Sequence, residues 1–364
     1  MILSVLKEEN DNRVALIPEH VQQFAKLGAE LWIENSAGDR AFFFDDDYKN
    51  AGALIKSKDE ILKSSDIILK VNAPVVDNIS SIKQNLIFIG ILRPFQNKSL
   101  TEFFASKNIT SFSLELMPRI TRAQIMDVLS SQANIAGYKA VLIAADNLPR
   151  YFPMLTTAAG SIPPAKVLII GAGVAGLQAI ATAKRLGAVV EVFDTRSAVE
   201  EEVKSLGAKF IKIEGAKEDK AAGGYAVEQS EDFLKRQSEA VHNSAIKSDA
   251  VITTAQIPNK KAPILIYKNT IEKMKKGSVI VDLASSTGGN TELTENNKTI
   301  NINGVTIIGN SNLASLVPSD ASKLLSKNIF NFMKLFLKDG QINLDFNDVI
   351  IQQTCVTANG EVKI

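Results

Sequence analysis

Residues 166–194 constrain the fold of this chain more than any other stretch. They comprise an apolar run, the three glycines of a G-x-G-x-x-G motif, a run with helical spacing, and a second apolar run that ends at Asp194. Gly171 allows a tight turn, Gly173 removes a side chain where a pyrophosphate must approach the backbone, and Gly176 lets the helix pack close to the strand. The stretch therefore predicts a strand, turn, helix and strand that bind a dinucleotide, with the pyrophosphate at the helix N-terminus.

The acidic residue that ends this stretch bears on which dinucleotide is bound. Asp194 follows Gly171 by 23 residues, a spacing that suits hydrogen bonds from both ribose hydroxyls to its carboxylate. A carboxylate there repels a 2'-phosphate, which favours NAD over NADP. Arg196 weakens this preference, because a nearby guanidinium is able to pair with the phosphate. The alternative, a glycine-rich turn without a ligand, is disfavoured by the strand, helix and acidic residue in the expected order.

Length and charge exclude several classes of protein. The 364 residues suffice for about two domains. Lys and Arg number 41 against 40 Asp and Glu, a net charge of +1 that indicates no nucleic-acid partner. Cys355 is the only cysteine, and His20 and His242 are the only histidines, so neither a disulfide nor a metal site is expected. The N-terminus does not resemble a signal peptide, and residues 167–183 are too short and interrupted for a membrane span.

Short apolar runs alternate with helical segments along the whole chain, which predicts the fold class α/β with two doubly wound, Rossmann-like domains. The expected strands of the first domain are residues 2–6, 31–33, 66–71, 85–91 and 111–116. Those of the second domain are residues 166–171, 188–194, 209–213, 250–254, 278–284 and 305–309. The insertion 214–249 contains Gly223, Gly224 and Tyr225, which suit either a lid over a nucleotide or a solvated charged segment.

Two long helices are predicted to join these domains. The first spans residues 121–146, with Thr121 and Gln124 at capping-box spacing, and the second begins at Pro318 and stops at Gly340. The tail is predicted to form strands at 342–346 and 348–357 and a turn at residues 359–360. The domains would then be interleaved, with residues 1–130 and 319–364 in the first and residues 131–318 in the NAD(H)-binding second.

Residues 117–140 carry a more specific signal than the glycine motif. The sequence MPRITRAQIMDVLSSQANIAGYKA closely resembles the NAD(H)-binding component of proton-translocating nicotinamide nucleotide transhydrogenase, the alpha-1 subunit where that enzyme is divided into three chains. The resemblance continues through the glycine motif and the segments AAGGYA, TTAQIPNKKAP and VDLASSTGGN, and so covers nearly the whole chain.

The resemblance implies a set of site residues. The polar groups around the nicotinamide would be Arg119, Gln124, Asp127 and Ser130, since a carboxamide has both donors and an acceptor to satisfy. An alternative is that Gln124 and Asp127 merely cap a helix. The remaining nucleotide contacts implied by the family are Gly171, Gly173, Val174, Ala175 and Gly176 at the pyrophosphate, Asp194, Thr195 and Arg196 at the adenosine ribose, Gly224 and Tyr225 in a mobile lid, and Gln237 and Gln256 nearby.

The resemblance also implies an activity and partners. The chain would bind NAD(H) and pass hydride directly from NADH to NADP+ held by a beta subunit, while a membrane-spanning alpha-2 subunit and the beta subunit couple the exchange to proton translocation. It would form a homodimer and lie in the cytoplasm, attached to the inner membrane through its partners. Direct hydride transfer requires two oriented rings and no acid or base.

Three alternatives remain at this stage. Alanine dehydrogenase is similar in sequence, and Lys7, Arg13 and Lys70 resemble the set that binds its substrate carboxylate, but its catalytic His and Asp would fall near Leu92 and at Ser286. A 2-hydroxy acid dehydrogenase needs a His paired with a carboxylate, and neither histidine lies where that base belongs. A protein that binds NAD without chemistry is the third.

Overall fold

The computed structural model describes residues 1–213, 215, 230–257 and 260–364. The predicted lid residues Gly224 and Tyr225 lie outside the described residues. The chain divides into unit 1, Met1–Gln132 with Ser315–Ile364, and unit 2, Ala133–Ala314. The predicted domain boundaries at 130 and 318 stand two and four residues from these. None of the helices in the described ranges has the length and apolar character to cross a membrane.

The regular elements of the described residues are numbered here in chain order. The strands are β1 Ile2–Val5, β2 Glu30–Glu34, β3 Leu54–Lys56, β4 Ile67–Asn72, β5 Ile87–Ile91, β6 Thr110–Ser113, β7 Leu155–Thr157, β8 Gly160–Ile162, β9 Lys166–Ile170, β10 Val189–Phe193, β11 Lys209–Phe210, β12 Ala250–Thr253, β13 Val279–Asp282, β14 Lys298–Ile302, β15 Val305–Gly309, β16 Leu337–Lys338, β17 Gln341–Ile342, β18 Cys355–Ala358 and β19 Glu361–Val362. The helices are α1 Pro18–Lys26, α2 Asp45–Asn50, α3 Lys58–Ser64, α4 Lys98–Ser106, α5 Val128–Asn147, α6 Val174–Arg185, α7 Glu200–Ser205, α8 Glu231–Ala245, α9 Lys268–Ile271, α10 Pro318–Met333 and α11 Val349–Thr354.

The sheet of unit 1 has the strand order β3-β2-β1-β4-β5-β6-β18-β19. The first six strands are parallel, and β18 and β19 run antiparallel to their neighbours. Alternate side chains of β1 and β4 enter two apolar cores, with Leu3 and Ile67 in one and Leu6 and Ile68 in the other. Both faces of the sheet are therefore covered, as parallel sheets require.

The sheet of unit 2 has the order β11-β10-β9-β12-β13-β15-β14. All pairs are parallel except β14 with β15. Val167 and Ile169 pack into one core while Leu168 and Ile170 pack into the other. The predicted doubly wound fold is confirmed, and the order of strands reverses between β9 and β12, the place where ligands bind in such sheets.

The predicted helix 121–146 is wrong at its start. Residues Thr121–Met126 form a 3-10 turn, and the α-helix begins at Val128. Asp127 separates the two with φ −73° and ψ 94°, a conformation outside the helix. Its carboxylate accepts a hydrogen bond from the Ser130 N–H at 2.9 Å. Aspartate at the N-cap of a helix favours this break over a continuous helix.

The predicted tail differs from the structure in three places. α10 ends at Met333, and Gly340 instead forms the turn of the β16–β17 hairpin, where Asp339 and Gly340 both have positive φ. The strand predicted at 348–357 is half helix, because Asp348 accepts a hydrogen bond from the Ile350 N–H and caps α11. The strand predicted at 342–346 is limited to β17, whereas the turn at residues 359–360 is confirmed.

Candidate functional site

The glycine motif forms a tight connection between β9 and α6 in unit 2. Gly171 has φ +98°, which glycine adopts without strain, and its N–H donates to the Phe193 carbonyl at 2.8 Å. A Cβ on Gly176 would overlap the Gly171 carbonyl oxygen. A Cβ on Gly173, the N-cap of α6, would meet no described atom within 4 Å. The turn is thus closed toward the sheet and open at Gly173, where a phosphate group would have access to the backbone.

The predicted pyrophosphate residues at the start of α6 lie beside this opening. Val174 is 41% exposed and is the first residue of α6, while Ala175 is half-buried. The Ala175 carbonyl lies against Gly137 on α5, and a Cβ at Gly137 would overlap it. Gly137 was not predicted, although a glycine within a helical pattern signals such a close approach.

Asp194 connects the glycine turn to the end of β10. Its carboxylate accepts hydrogen bonds from the Ala172 N–H at 2.7 Å and the Arg196 N–H at 2.8 Å. The Arg196 side chain adds Nε at 2.9 Å and Nη2 at 2.8 Å. These hydrogen bonds raise the pKa of Arg196, so its charge is permanent. Thr195 between them is half-buried. The structure therefore brings Asp194 and Arg196 together as a pair, rather than leaving the guanidinium directed elsewhere.

Two loops at the carboxyl ends of β12 and β13 complete this edge of the unit 2 sheet. Thr254 donates from its hydroxyl to the carbonyls of Ile170 and Gly171 at 3.3 and 3.1 Å, and so fixes the glycine turn. Asn290, fully buried, accepts from the Ala255 N–H at 3.0 Å and donates to the Ala255 and Pro263 carbonyls at 2.8 and 2.9 Å. Neither residue was predicted, because such roles depend on contacts across the sheet.

The buried carboxylate of Asp282 organises the loop that contains the motif SSTGGN. It accepts hydrogen bonds from the N–H groups of Ala284 and Asn290 at 2.9 and 2.7 Å and from the Thr294 hydroxyl at 2.7 Å. Ser286 is exposed on this loop. Four donors around a fully buried carboxylate, counting the Thr291 N–H at 3.3 Å, compensate for the loss of its hydration.

The two glutamines predicted near the nucleotide differ in their surroundings. Gln237 on α8 is buried, and its Oε1 has no hydrogen-bond partner among the described residues. An unsatisfied buried acceptor costs about 1–3 kcal/mol, which makes Gln237 unusual for a purely structural side chain. Gln256 is exposed and donates from Nε2 to the Leu283 carbonyl at 3.1 Å, so it joins the loops after β12 and β13.

The predicted nicotinamide residues all lie in unit 1. Arg119 and Gln124 are exposed, whereas Asp127 and Ser130 are half-buried and contact each other. Asp127 accepts from the Ser130 N–H at 2.9 Å and from the Ser130 hydroxyl at 2.6 Å. This is the helix-capping arrangement considered as the alternative. It leaves Asp127 a further acceptor position, because each carboxylate oxygen accepts two hydrogen bonds.

Lys70 is one of the residues that resemble the carboxylate-binding set of alanine dehydrogenase. It is 2% exposed, and its ammonium lies 3.1 Å from carboxylate oxygens of both Glu8 and Glu9 and 2.9 Å from the Lys7 carbonyl. Burial alone would raise the pKa of Glu9, but the Lys70 ammonium outweighs it and lowers that pKa. Lys70 is therefore neutralised by carboxylates of this same chain.

Arg13 is neutralised in the same way. Its guanidinium donates to Asp11 from Nε at 3.0 Å and from Nη2 at 2.6 Å, and from Nη1 to Gln132 Oε1 at 2.8 Å. All three residues are buried. A substrate carboxylate would have to compete with Asp11 for Arg13.

The positions where the rival enzymes place acid–base residues hold no such group. Leu92 is 2% exposed within the apolar core that also contains Phe88. His20 is buried and bonds Ser326 at 2.8 Å, and His242 bonds Thr270 at 2.7 Å. In the portion of the chain that the structure describes, no group of three or more His, Cys, Asp or Glu side chains is arranged to hold a metal ion.

Comparison with known proteins agrees with the predicted resemblance. The family model described as "Alanine dehydrogenase/PNT, N-terminal domain" matches residues 4–136, and "Alanine dehydrogenase/PNT, C-terminal domain" matches residues 140–364. In Rhodospirillum rubrum the NAD(P) transhydrogenase alpha subunit is divided into separately named parts. The chain is 45% identical to the first of these, over 100% of this chain and 97% of that protein.

Solved structures give the same result. The crystal structure of transhydrogenase from Sinorhizobium meliloti has a TM-score of 0.92 and 41% identity, with 100% of both chains covered. An L-alanine dehydrogenase structure has a TM-score of 0.82 at 24% identity, covering 100% of this chain and 96% of the other, which supports the fold alone. The chain therefore belongs to the alanine dehydrogenase/PNT family, and within it to the NAD(P) transhydrogenase alpha subunits.

Proposed function

We propose that this chain is the NAD(H)-binding component of a proton-translocating transhydrogenase, which passes hydride directly from NADH to NADP+ held by a partner subunit. The observation that carries the proposal is the glycine turn of unit 2, closed at Gly176, open at Gly173 and linked through Ala172 to the carboxylate of Asp194. A dinucleotide fits this arrangement, because the opening adjoins the N-terminus of α6 and an acidic side chain ends the next strand.

Each site residue has a proposed role. The backbone at Gly171, Gly173, Val174, Ala175 and Gly176 binds the pyrophosphate, and Asp194, Thr195 and Arg196 surround the adenosine ribose. Arg119, Gln124, Asp127 and Ser130 bind the carboxamide of the nicotinamide, Gly224 and Tyr225 cover the nucleotide, and Gln237 and Gln256 lie near it. The bound nicotinamide supplies the hydride. The protein residues orient it, exclude water and need transfer no proton.

The neutralised cations favour this proposal over an alanine dehydrogenase activity. An amino acid oxidation must hold a substrate carboxylate and move protons, but Lys70 and Arg13 already pair with Glu8 and Asp11. Burying a substrate carboxylate beside these existing pairs would leave charges unpaired, at a cost of several kcal/mol. The buried Leu92 supplies no proton either.

The proposal includes the assembly around the chain. We infer that it acts as a homodimer in the cytoplasm, attached to the inner membrane through an NADP(H)-binding beta subunit and a membrane-spanning alpha-2 subunit, which couple hydride exchange to proton translocation. The domains proposed for the two roles are residues 1–130 with 319–364, and residues 131–318. Support comes from the relative in Rhodospirillum rubrum, whose name describes it as the first portion of a divided alpha subunit.

Direct exchange tests the proposal. The full chain is mixed with an NADP(H)-binding transhydrogenase subunit, NADH and an NADP+ analogue whose reduced form absorbs at a distinct wavelength. We expect reduction of the analogue without release of hydride to water. Binding of NADH without exchange would reject the catalytic role and favour an NAD-binding module. Alanine-dependent reduction of NAD+ by the chain alone would favour the dehydrogenase.

A further inference from the structure

The segment that contains Asp127 and Ser130 has two halves with different geometry. The 3-10 turn Thr121–Met126 and the helix α5 meet at Asp127, which is outside either helix. The direction of the Asp127 carboxylate therefore depends on the angle between turn and helix, and not on one continuous helix. Contacts that fix both halves at once are needed to hold this angle.

Asn328 on α10 makes such contacts with a single carboxamide. Its Nδ2 donates to the Ile125 carbonyl in the 3-10 turn at 2.8 Å, and its Oδ1 accepts from the Ser131 hydroxyl in the first turn of α5 at 2.7 Å. Asp127 and Ser130 lie between these two anchor points in the chain. Asn328 is 8% exposed, so both bonds are shielded from water and their loss is costly.

Other contacts hold the same segment from further away. Gln132 donates from Nε2 to the Ala321 carbonyl at 3.1 Å and so attaches α5 to the first turn of α10. Arg122 forms two hydrogen bonds of 2.7 Å with Asp348. Each of these fixes one half of the segment, whereas Asn328 contacts both.

We propose that Asn328 is a positioning residue for hydride transfer, which sets the orientation of Asp127 and Ser130 toward the nicotinamide carboxamide. This inference rests on the proposed function. Misplacement by about 1 Å costs on the order of 100-fold in rate, even when binding survives. Asn328 therefore influences the rate of transfer more than the affinity for NADH, most of whose proposed contacts lie in unit 2.

The substitution Asn328→Asp gives a test that purely structural damage would not reproduce. An ionised carboxylate accepts from Ser131 but repels the Ile125 carbonyl, whereas a protonated one donates to that carbonyl and still accepts from Ser131. We expect kcat for exchange to fall at least about 10-fold at alkaline pH and to recover, relative to wild type, as the pH is lowered. The Kd for NADH should change less than about 3-fold, from the same argument.

Two matched variants control for nonspecific effects. Asn328→Leu has similar size and no polar atoms, and should lose exchange without recovery at low pH. Asn331→Asp places the same charge one turn further along α10, where Asn331 donates to the same carbonyl at only 3.3 Å, and should stay within about 2-fold of wild type. Amide hydrogen exchange of residues 121–131 without nucleotide should be faster in both Asn328 variants and unchanged in Asn331→Asp.

The outcomes separate this inference from the proposed function. Wild-type kcat in both Asn328 variants, equal losses in kcat and affinity, or the same behaviour in Asn331→Asp would overturn the positioning role. Absence of exchange in the wild type would reject the proposed function and with it that role, whereas faster amide exchange in the Asn328 variants would then still establish the clamp on residues 121–131.

Discussion

Replacement of Asp194 by asparagine tests how the chain distinguishes NADH from NADPH. The carboxylate accepts four N–H groups, from Ala172, from the Arg196 backbone and from two nitrogens of the Arg196 side chain. An asparagine oxygen accepts only about two hydrogen bonds, and the amide nitrogen would face a donor. Asp194→Asn should therefore release the guanidinium of Arg196 and remove the negative charge at the proposed ribose position.

The expected magnitude follows from these contacts. A hydrogen bond to a charged group contributes about 1.5–3 kcal/mol, so NADH binding should weaken by about 10- to 150-fold. Removing one charge about 4 Å from a 2'-phosphate relieves about 1–4 kcal/mol of repulsion per unit charge, between the limits of water and a protein surface. Together these changes should reduce the preference for NADH over NADPH by at least about 60-fold.

Fluorescence titration of both reduced nucleotides measures this preference directly. Glu191→Gln is a matched control, because it removes one negative charge from the same strand at a side chain that contacts Lys209 and Ser244. We expect the control to retain the wild-type preference. If Asp194→Asn folds normally and the ratio of the two Kd values remains at the wild-type level, Asp194 and Arg196 do not select the nucleotide.

Three further predictions concern stability. Gly176→Ala should lower the free energy of unfolding by about 3 kcal/mol because its Cβ would overlap the Gly171 carbonyl, whereas Gly173→Ala should change it by about 0.5 kcal/mol or less and weaken NADH binding; denaturation curves with equal losses would contradict this. Burial lowers the pKa of His20 below 6.5, so the unfolded state binds the proton more readily and the free energy of unfolding should fall as the pH drops below about 6.5; an unchanged slope in His20→Asn would refute it. Burial raises the pKa of the Cys355 thiol to about 11, so a thiol reagent at neutral pH should label it at least about 100-fold more slowly than in denaturant, and rapid labelling of the native chain would be inconsistent with the buried site.

Local patterns were sufficient to predict the sheets. The apolar runs that became β9 and β10, and the glycines between them, depend on side-chain alternation and backbone freedom within a few residues. β14 was missed because it is a half-exposed edge strand whose pairing with β15 replaces the apolar signal. The hairpin turn at Asp339 and Gly340 was missed although the dipeptide itself signals it.

The candidate site is divided in the same way. The sequence by itself determined the glycine turn, the acidic residue that ends β10 and the family to which the chain belongs. Only the tertiary structure decided that Asp127 interrupts a helix, that Asn328 contacts both sides of this interruption, and that Lys70 is paired with Glu8. The physical reason is that helical and strand periodicity acts between near neighbours in sequence, whereas these hydrogen bonds and ion pairs join residues that only folding brings within about 3 Å.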